Sequence, residues 1–233
     1  MIKDIAVIIP ALNEEKTIGN LVSQLKKIFE KVIVINDGST DKTEEIARKN
    51  GAIVLSHQKS KGKGEALKTG FQFILKENIS AVITMDGDGQ HLVEDVFKFV
   101  EAYRKKPKVG IFVGKRKILT TEMPFIRRLT NVSMSVIISL LSFQWIPDTQ
   151  CGYRLIKREV LEKVKLLTSH FETESELLIK SSWKGFKIYS LPITTVYRGE
   201  RSKIKPVIDT MRFFVMLLIS IFPPAARIKW GEK

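Results

Sequence analysis

The sequence predicts an α/β protein built on a mainly parallel sheet flanked by helices. Two patterns point to it. Short β-branched runs alternate along the first half with segments whose apolar residues recur at helical spacing, as in strands buried on both faces. Those runs end in clusters of Asn, Asp, Gly and Lys, where an open parallel sheet places its ligand crevice. At 233 residues, 44% hydrophobic and 27% charged, the chain is globular and long enough for one large domain.

The elements follow in order. Ile5 to Ile9 reads as a buried strand, then 16–29 as a helix with Ile18, Leu21, Val22, Leu25 and Ile28 on one face. Residues 32–35 form the next strand, and 42–50 a helix stopped by Gly51. Strand 52–56, helix 65–76, strand 81–85, helix 93–103 and strand 109–113 continue the alternation. The second half is less regular. It has a long apolar-rich helix at 125–142, a short strand region at 148–156 and a helix at 174–184. A strand at 187–192 and a last helix at 208–222 close it. The expected division is a domain over 1–204 and an amphipathic, apolar extension over 205–233 with membrane-facing helices.

Composition narrows the function. The chain has 39 Lys and Arg against 25 Asp and Glu, a net charge of +14 that calls for an anionic partner. Its single cysteine, Cys151, excludes an intramolecular disulfide framework and fits a reducing compartment. The opening apolar stretch is too short for a secretory signal. The apolar run 213–222 is too short to cross a ~30 Å hydrocarbon core. The expected placement is cytoplasmic, peripheral on the cytoplasmic face of a membrane. Apolar helices 125–142 and 211–222, flanked by Arg127, Arg128, Lys203 and Arg212, favour an anionic lipid surface over core burial alone. No nucleic-acid motif accompanies the positive charge, so no nucleic-acid partner is expected.

The chemistry lies in the strand ends. Pro10 to Glu14, Asn36 to Ser39, the Lys59 to Gly64 stretch, Asp86-Gly87-Asp88 and Gly114-Lys115-Arg116 converge on one rim. Asp37 alone is also compatible with a turn and a helix cap. The Lys59 to Gly64 stretch lacks Walker spacing. Asp86 and Asp88 are sharper, because two like charges one residue apart repel unless a cation sits between them. A hard dication shared with substrate phosphates meets that need.

The stretches I-P-A-L-N-E-E, I-N-D-G-S-T-D, K-G-K-G-E-A-L-K-T-G, M-D-G-D-G-Q-H, V-G-K-R, D-T-Q-C-G-Y-R, F-E-T-E-S-E-L-L and Y-R-G-E-R-S-K run in order from Ile5 to about Lys203. As a set they resemble family 2 glycosyltransferases of the GT-A fold, nearest the branch of dolichyl-phosphate mannose synthases and polyprenyl-phosphate glycosyltransferases. The resemblance implies that Pro10, Leu12, Glu14, Asp37, Lys63, Asp86, Gly87 and Asp88 bind a GDP- or UDP-linked sugar. It implies that Asp86, Asp88 and Gln90 hold Mg²⁺ or Mn²⁺. Arg116, with Arg127 or Arg128, would hold the lipid phosphate of the acceptor, and Arg198 and Lys203 would close over the phosphates. Asp148 falls where the family has an acid near the reacting sugar. Inversion at the anomeric carbon is likewise implied by the resemblance.

Three features depart from the pattern. Asn36 stands where many members have a second aspartate, Asn131 where the lipid-phosphate branch often has serine, and the only C-terminal apolar run is 213–222. Two rival readings stay open: the same fold acting on a glycan or glycolipid hydroxyl with Asp148 as general base, and a non-catalytic basic membrane-binding module. A nucleotidyltransferase would want a glycine-rich loop where Ala11-Leu12-Asn13 stands.

Overall fold

The computed structural model describes residues 1–116, 125–194 and 206–221, with backbone only for 125–128, 206–210 and 220–221. Its first half alternates strands and helices: β1 (Ile5–Ala11), α1 (Ile18–Lys26), β2 (Val32–Asn36), α2 (Thr43–Lys49), β3 (Ile53–Ser56), α3 (Lys63–Ile74) and β4 (Ala81–Thr84). A 3₁₀ turn at Val93–Asp95 leads into α4 (Val96–Lys105) and β5 (Val109–Lys115). The second half holds α5 (Phe125–Ser142), β6 (Arg154–Lys157), α6 (Arg158–Lys163), α7 (Glu172–Trp183), β7 (Lys187–Pro192) and α8 (Pro206–Ile221).

The seven strands form one sheet in the order β3-β2-β1-β4-β6-β5-β7. β6 runs antiparallel to both neighbours, while the other strands share one direction. From β1 the chain moves outward through β2 and β3, then returns to place β4 on the other side of β1. The ends of β1 and β4 therefore flank the topological switch point, where an open sheet leaves a crevice. Register carries the β4 end into it: Ile8 pairs with Thr84, and the Met85 amide donates to the Ile8 carbonyl at 3.1 Å. Asp86 follows directly.

Residues 5–9 of β1 are all 0% exposed, which is why an unbroken apolar run stands there. Each of its Ile and Val side chains contributes about 1.5–3 kcal/mol on burial. α1 covers one face with Ile18, Leu21, Val22 and Leu25, and α4 packs through Val96, Phe99 and Ala102.

The structure adjusts three expectations. α3 starts at Lys63, not Glu65, because Gly62 at φ 101° turns the chain into the helix and the Glu65 amide caps on the Ser169 carbonyl at 2.9 Å. The strand expected at 148–156 is confined to Arg154–Lys157, since residues 148–152 are held by side-chain bonds off the sheet. The six-residue helix α6, too short for a periodic signal, was not expected. In α8, Phe213 and Met216 are buried, so only part of the 213–222 segment is presented outward. The expected boundary at 204/205 lies outside the described residues.

Candidate active site

Loops after β1 and β2 build one wall of the crevice. Asn13, in the left-handed region at φ 55°, turns the chain after β1. Its amide donates to Ser39 Oγ at 2.9 Å and its Oδ1 accepts the Thr40 amide at 2.9 Å. The Glu14 amide donates to Thr43 Oγ1 at 2.7 Å. Pro10 and Leu12 are partly buried at this edge, and Gly87 lies against Pro10, Ala11 and Glu14.

Asp37, at the end of β2, is buried and organises the next loop. Its carboxylate accepts the Lys61 and Gly62 amides, each at 2.9 Å, and Ser60 Oγ at 2.8 Å, and it meets His57 Nδ1 at 2.6 Å. Burial pushes this carboxyl up, but the Lys61 amide, His57, Ser60 and the Gly62 amide together hold it below its ordinary value. Gly38, at φ 74°, lets the backbone pass the loop: a Cβ there would lie 2.6 Å from the Ser60 nitrogen.

At the floor, Lys63 opens α3 with its Nζ 2.6 Å from Asp86 Oδ1 and 2.8 Å from Glu174 Oε2. Burial works against the ammonium, yet Asp86 and Glu174 raise its pKa, so it stays charged. Burial also opposes the Asp86 charge, and the Lys63 ammonium, with Arg116 further off, more than offsets it, lowering that pKa. His91 is pushed down to about 4, first by burial, with Asp86 pulling the other way. Its imidazole is therefore neutral near pH 7 and packs on the Tyr153 ring at 5.1 Å. Asp88 Oδ1 accepts the Gln90 amide at 3.0 Å, closing the turn. Among the described residues no three His, Cys, Asp or Glu side chains form a metal-holding group.

On the β5 side, Arg116 grips Asp148 along one edge of its guanidinium: Nε donates to Oδ2 and Nη2 to Oδ1, each at 2.8 Å. The Arg116 amide adds a third bond to Oδ2 at 3.1 Å. Asp148 is 1% exposed, and its ion-pair partner is Arg116. Arg154 is itself buried and donates to the Cys151, Thr149 and Glu174 carbonyls at 2.7–2.8 Å. It thereby sets the backbone of the D-T-Q-C-G loop beside α7.

The sheet thus brings Pro10, Leu12, Glu14, Asp37, Lys63, Asp86, Gly87, Asp88, Gln90, Arg116 and Asp148 to its carboxyl-terminal rim. Arg198, Lys203 and the side chains of Arg127 and Arg128 lie outside the described residues. The sequence alone does not give the roles of His57, Arg154 and Glu174 in this site. In α7, Glu172, Glu174 and Glu176 sit in a run 172–179 that the fold buries throughout. Acids on a buried helix need specific partners. Glu174 has Lys63, while Glu176 accepts the Leu167 and Thr168 amides at 2.9–3.0 Å.

Comparison with known proteins agrees with this geometry. The model of the family described as glycosyl transferase family 2 matches residues 6–165. The chain is 31% identical over 218 residues to a UDP-N-acetylglucosamine–dolichyl-phosphate N-acetylglucosaminyltransferase of Methanococcus voltae, covering 84% of this chain and 86% of that protein. It is 31% identical over 206 residues to a dolichyl-phosphate hexose transferase of Haloferax volcanii, covering 87% of each. The fold resembles glucosyl-3-phosphoglycerate synthase from Mycobacterium tuberculosis, crystallised with Mn²⁺, uridine diphosphate and phosphoglyceric acid. The TM-score is 0.75 at 21% identity, over 94% of this chain and 79% of that one. The sheet is of the GT-A type.

Proposed function

Since the chain belongs to glycosyl transferase family 2 and is a glycosyltransferase, we propose that it moves a sugar from a nucleoside diphosphate to a polyprenyl phosphate at a membrane surface. The observation that carries this reading is the Arg116–Asp148 pair. A hydroxyl acceptor needs a base to take its proton, and both oxygens of Asp148 are occupied by the Arg116 guanidinium and amide. A phosphate acceptor is already ionised near neutral pH and needs no such base. Asp148 then serves to aim Arg116, whose planar fork suits phosphate oxygens. The names of the two dolichyl-phosphate transferases support the same acceptor class.

Asp86 and Asp88, with Gln90 nearby, fit a hard divalent cation such as Mg²⁺ or Mn²⁺. They offer oxygen donors on one turn, and a site with fewer than three clustered acid or histidine ligands is completed by substrate phosphates. Such a cation supplies charge neutralisation for the departing diphosphate. Lys63 adds a fixed positive charge, Asp37 holds the 60–62 loop against the nucleotide, and Pro10, Leu12 and Glu14 border the base and ribose. The binding energy is preorganised, so little rearrangement accompanies the charge that builds on the leaving group.

The membrane reading rests on two apolar stripes. α5 exposes Leu129, Val132, Val136 and Leu140, and α8 exposes Met211, Phe214, Val215 and Leu218. No described helix is long and apolar enough to cross a membrane. These faces suit helices lying in the interface, with the net charge of +14 favouring anionic lipid. Incubation with labelled UDP- and GDP-sugars, polyprenyl phosphate and Mn²⁺, followed by organic extraction, tests the proposal. Label should enter the organic phase with one donor and only in the presence of the cation. No transfer from any donor in the panel would defeat it.

A further inference from the structure

We propose that Lys63, anchored by Glu174, is a built-in counter-cation of the Asp86–Asp88 turn, and that it makes the divalent cation bind together with the nucleoside diphosphate instead of ahead of it. This rests on the reading that Asp86 and Asp88 hold the cation.

Three independent observations lead to it. First, the Lys63 ammonium sits on Asp86 Oδ1 at 2.6 Å and is fixed from the other side by Glu174 at 2.8 Å. Its side chain is 16% exposed, so it cannot swing away into solvent without unpairing two carboxylates. Second, the backbone is shaped around the pair. A Cβ on Gly152 would lie 2.7 Å from Asp86 Oδ2 and 2.8 Å from Lys63 Nζ, so glycine leaves room for both. Third, no described trio of acid or histidine side chains could hold a dication without help.

The consequence is electrostatic. A dication reaching the remaining Asp86 oxygen meets an ammonium within a few ångströms, in a partly desolvated site where repulsion is weakly screened. A diphosphate reverses the balance, because its oxygens attract both cations and complete the coordination. Asp86 is thus held in position before substrate arrives, without a resident metal. Lys63 and Glu174 act here as positioning residues, through Asp86.

Mn²⁺ paramagnetic resonance and calorimetry, with MnCl₂ and UDP or GDP, test this. For the wild type, Mn²⁺ alone should bind weakly and Mn²⁺ with the preferred nucleotide at least tenfold more tightly. Lys63→Met should strengthen Mn²⁺-alone binding about tenfold and weaken Mn²⁺-dependent nucleotide binding about tenfold. Opposite signs are the signature, since damage to the fold would weaken both. Glu174→Gln gives a second reading: the freed ammonium should raise metal-free nucleotide affinity and weaken Mn²⁺-alone binding further. Lys63→Met with unchanged or weaker Mn²⁺-alone binding overturns the proposal, as does tight Mn²⁺ binding by the wild type without nucleotide. Asp88→Asn separates the underlying reading: if that variant keeps full Mn²⁺-dependent nucleotide affinity, the acid pair does not hold the cation and both fail.

Discussion

The crevice walls formed by residues 10–64 and the helical surface formed by α5 and α8 treat their exposed groups in opposite ways. In the first, turns are tied to one another by amide-to-side-chain bonds, as in Asn13 with Ser39 and Thr40, or Asp37 with Lys61 and Gly62. In the second, eight large apolar side chains on two helices are left 38–69% exposed. A site that reads charge and shape must be rigid before its ligand arrives, whereas a surface that meets fluid lipid needs apolar area and no fixed register. Arg116 and Asp148 stand between the two, at the carboxyl end of β5 and on the loop after α5.

The contrast predicts where mutations act. The largest effect should follow Asp88→Asn, with turnover falling about 10²–10³-fold while stability shifts by no more than about 0.5 kcal/mol. Steady-state transfer assays and thermal melts check both halves. A parallel loss of stability would mean that the turn is structural.

Asp148→Asn comes next. It removes the charge of the buried carboxylate that Arg116 holds and should cost about 3–5 kcal/mol in urea unfolding. Arg116→Lys, which keeps the charge and loses the fork, should lower turnover with polyprenyl phosphate yet leave nucleotide affinity nearly intact in calorimetry. Equal losses in both would move Arg116 to the donor side.

Asp37→Asn should destabilise by roughly 1–3 kcal/mol at pH 7. The folded-state pKa of Asp37 lies below the ordinary 3.8, so its contribution is complete above that value and fades as pH falls through the lower, folded-state one. The stability gap between wild type and variant should therefore narrow below pH 3.8, as followed by denaturant unfolding across acid pH. A constant gap would show that lost shape, not charge, is responsible.

The smallest effect on stability belongs to the stripes. Leu140→Asp with Phe214→Asp should change unfolding by about 0.5 kcal/mol or less but sharply reduce flotation with anionic liposomes. Unchanged flotation would remove these faces from membrane contact.

The legibility of the sequence follows the same contrast. Strands β1, β2 and β4 were readable because burial on both faces demands unbroken β-branched runs, and Asp86 and Asp88 because like charges at a strand end need a reason. The reversal of β6 was not readable, since a four-residue strand with three residues buried between two neighbours looks the same in either direction. Nor was the Lys63–Glu174 contact, which joins α3 to α7 across 111 positions of sequence. Asp148 illustrates the limit of local inference: Arg154 stands six positions away in sequence, yet the fold supplies Arg116 from the end of β5, 32 positions away.

The acceptor is the central claim, and one comparison tests it directly. The chain would be given the same labelled nucleotide sugar with polyprenyl phosphate or with the matching polyprenol, in the same vesicles and with the same cation. Transfer to the phosphate and none above background to the alcohol is the predicted result. Comparable transfer to the alcohol, abolished by Asp148→Asn, would contradict it and make Asp148 the general base of a hydroxyl-directed enzyme.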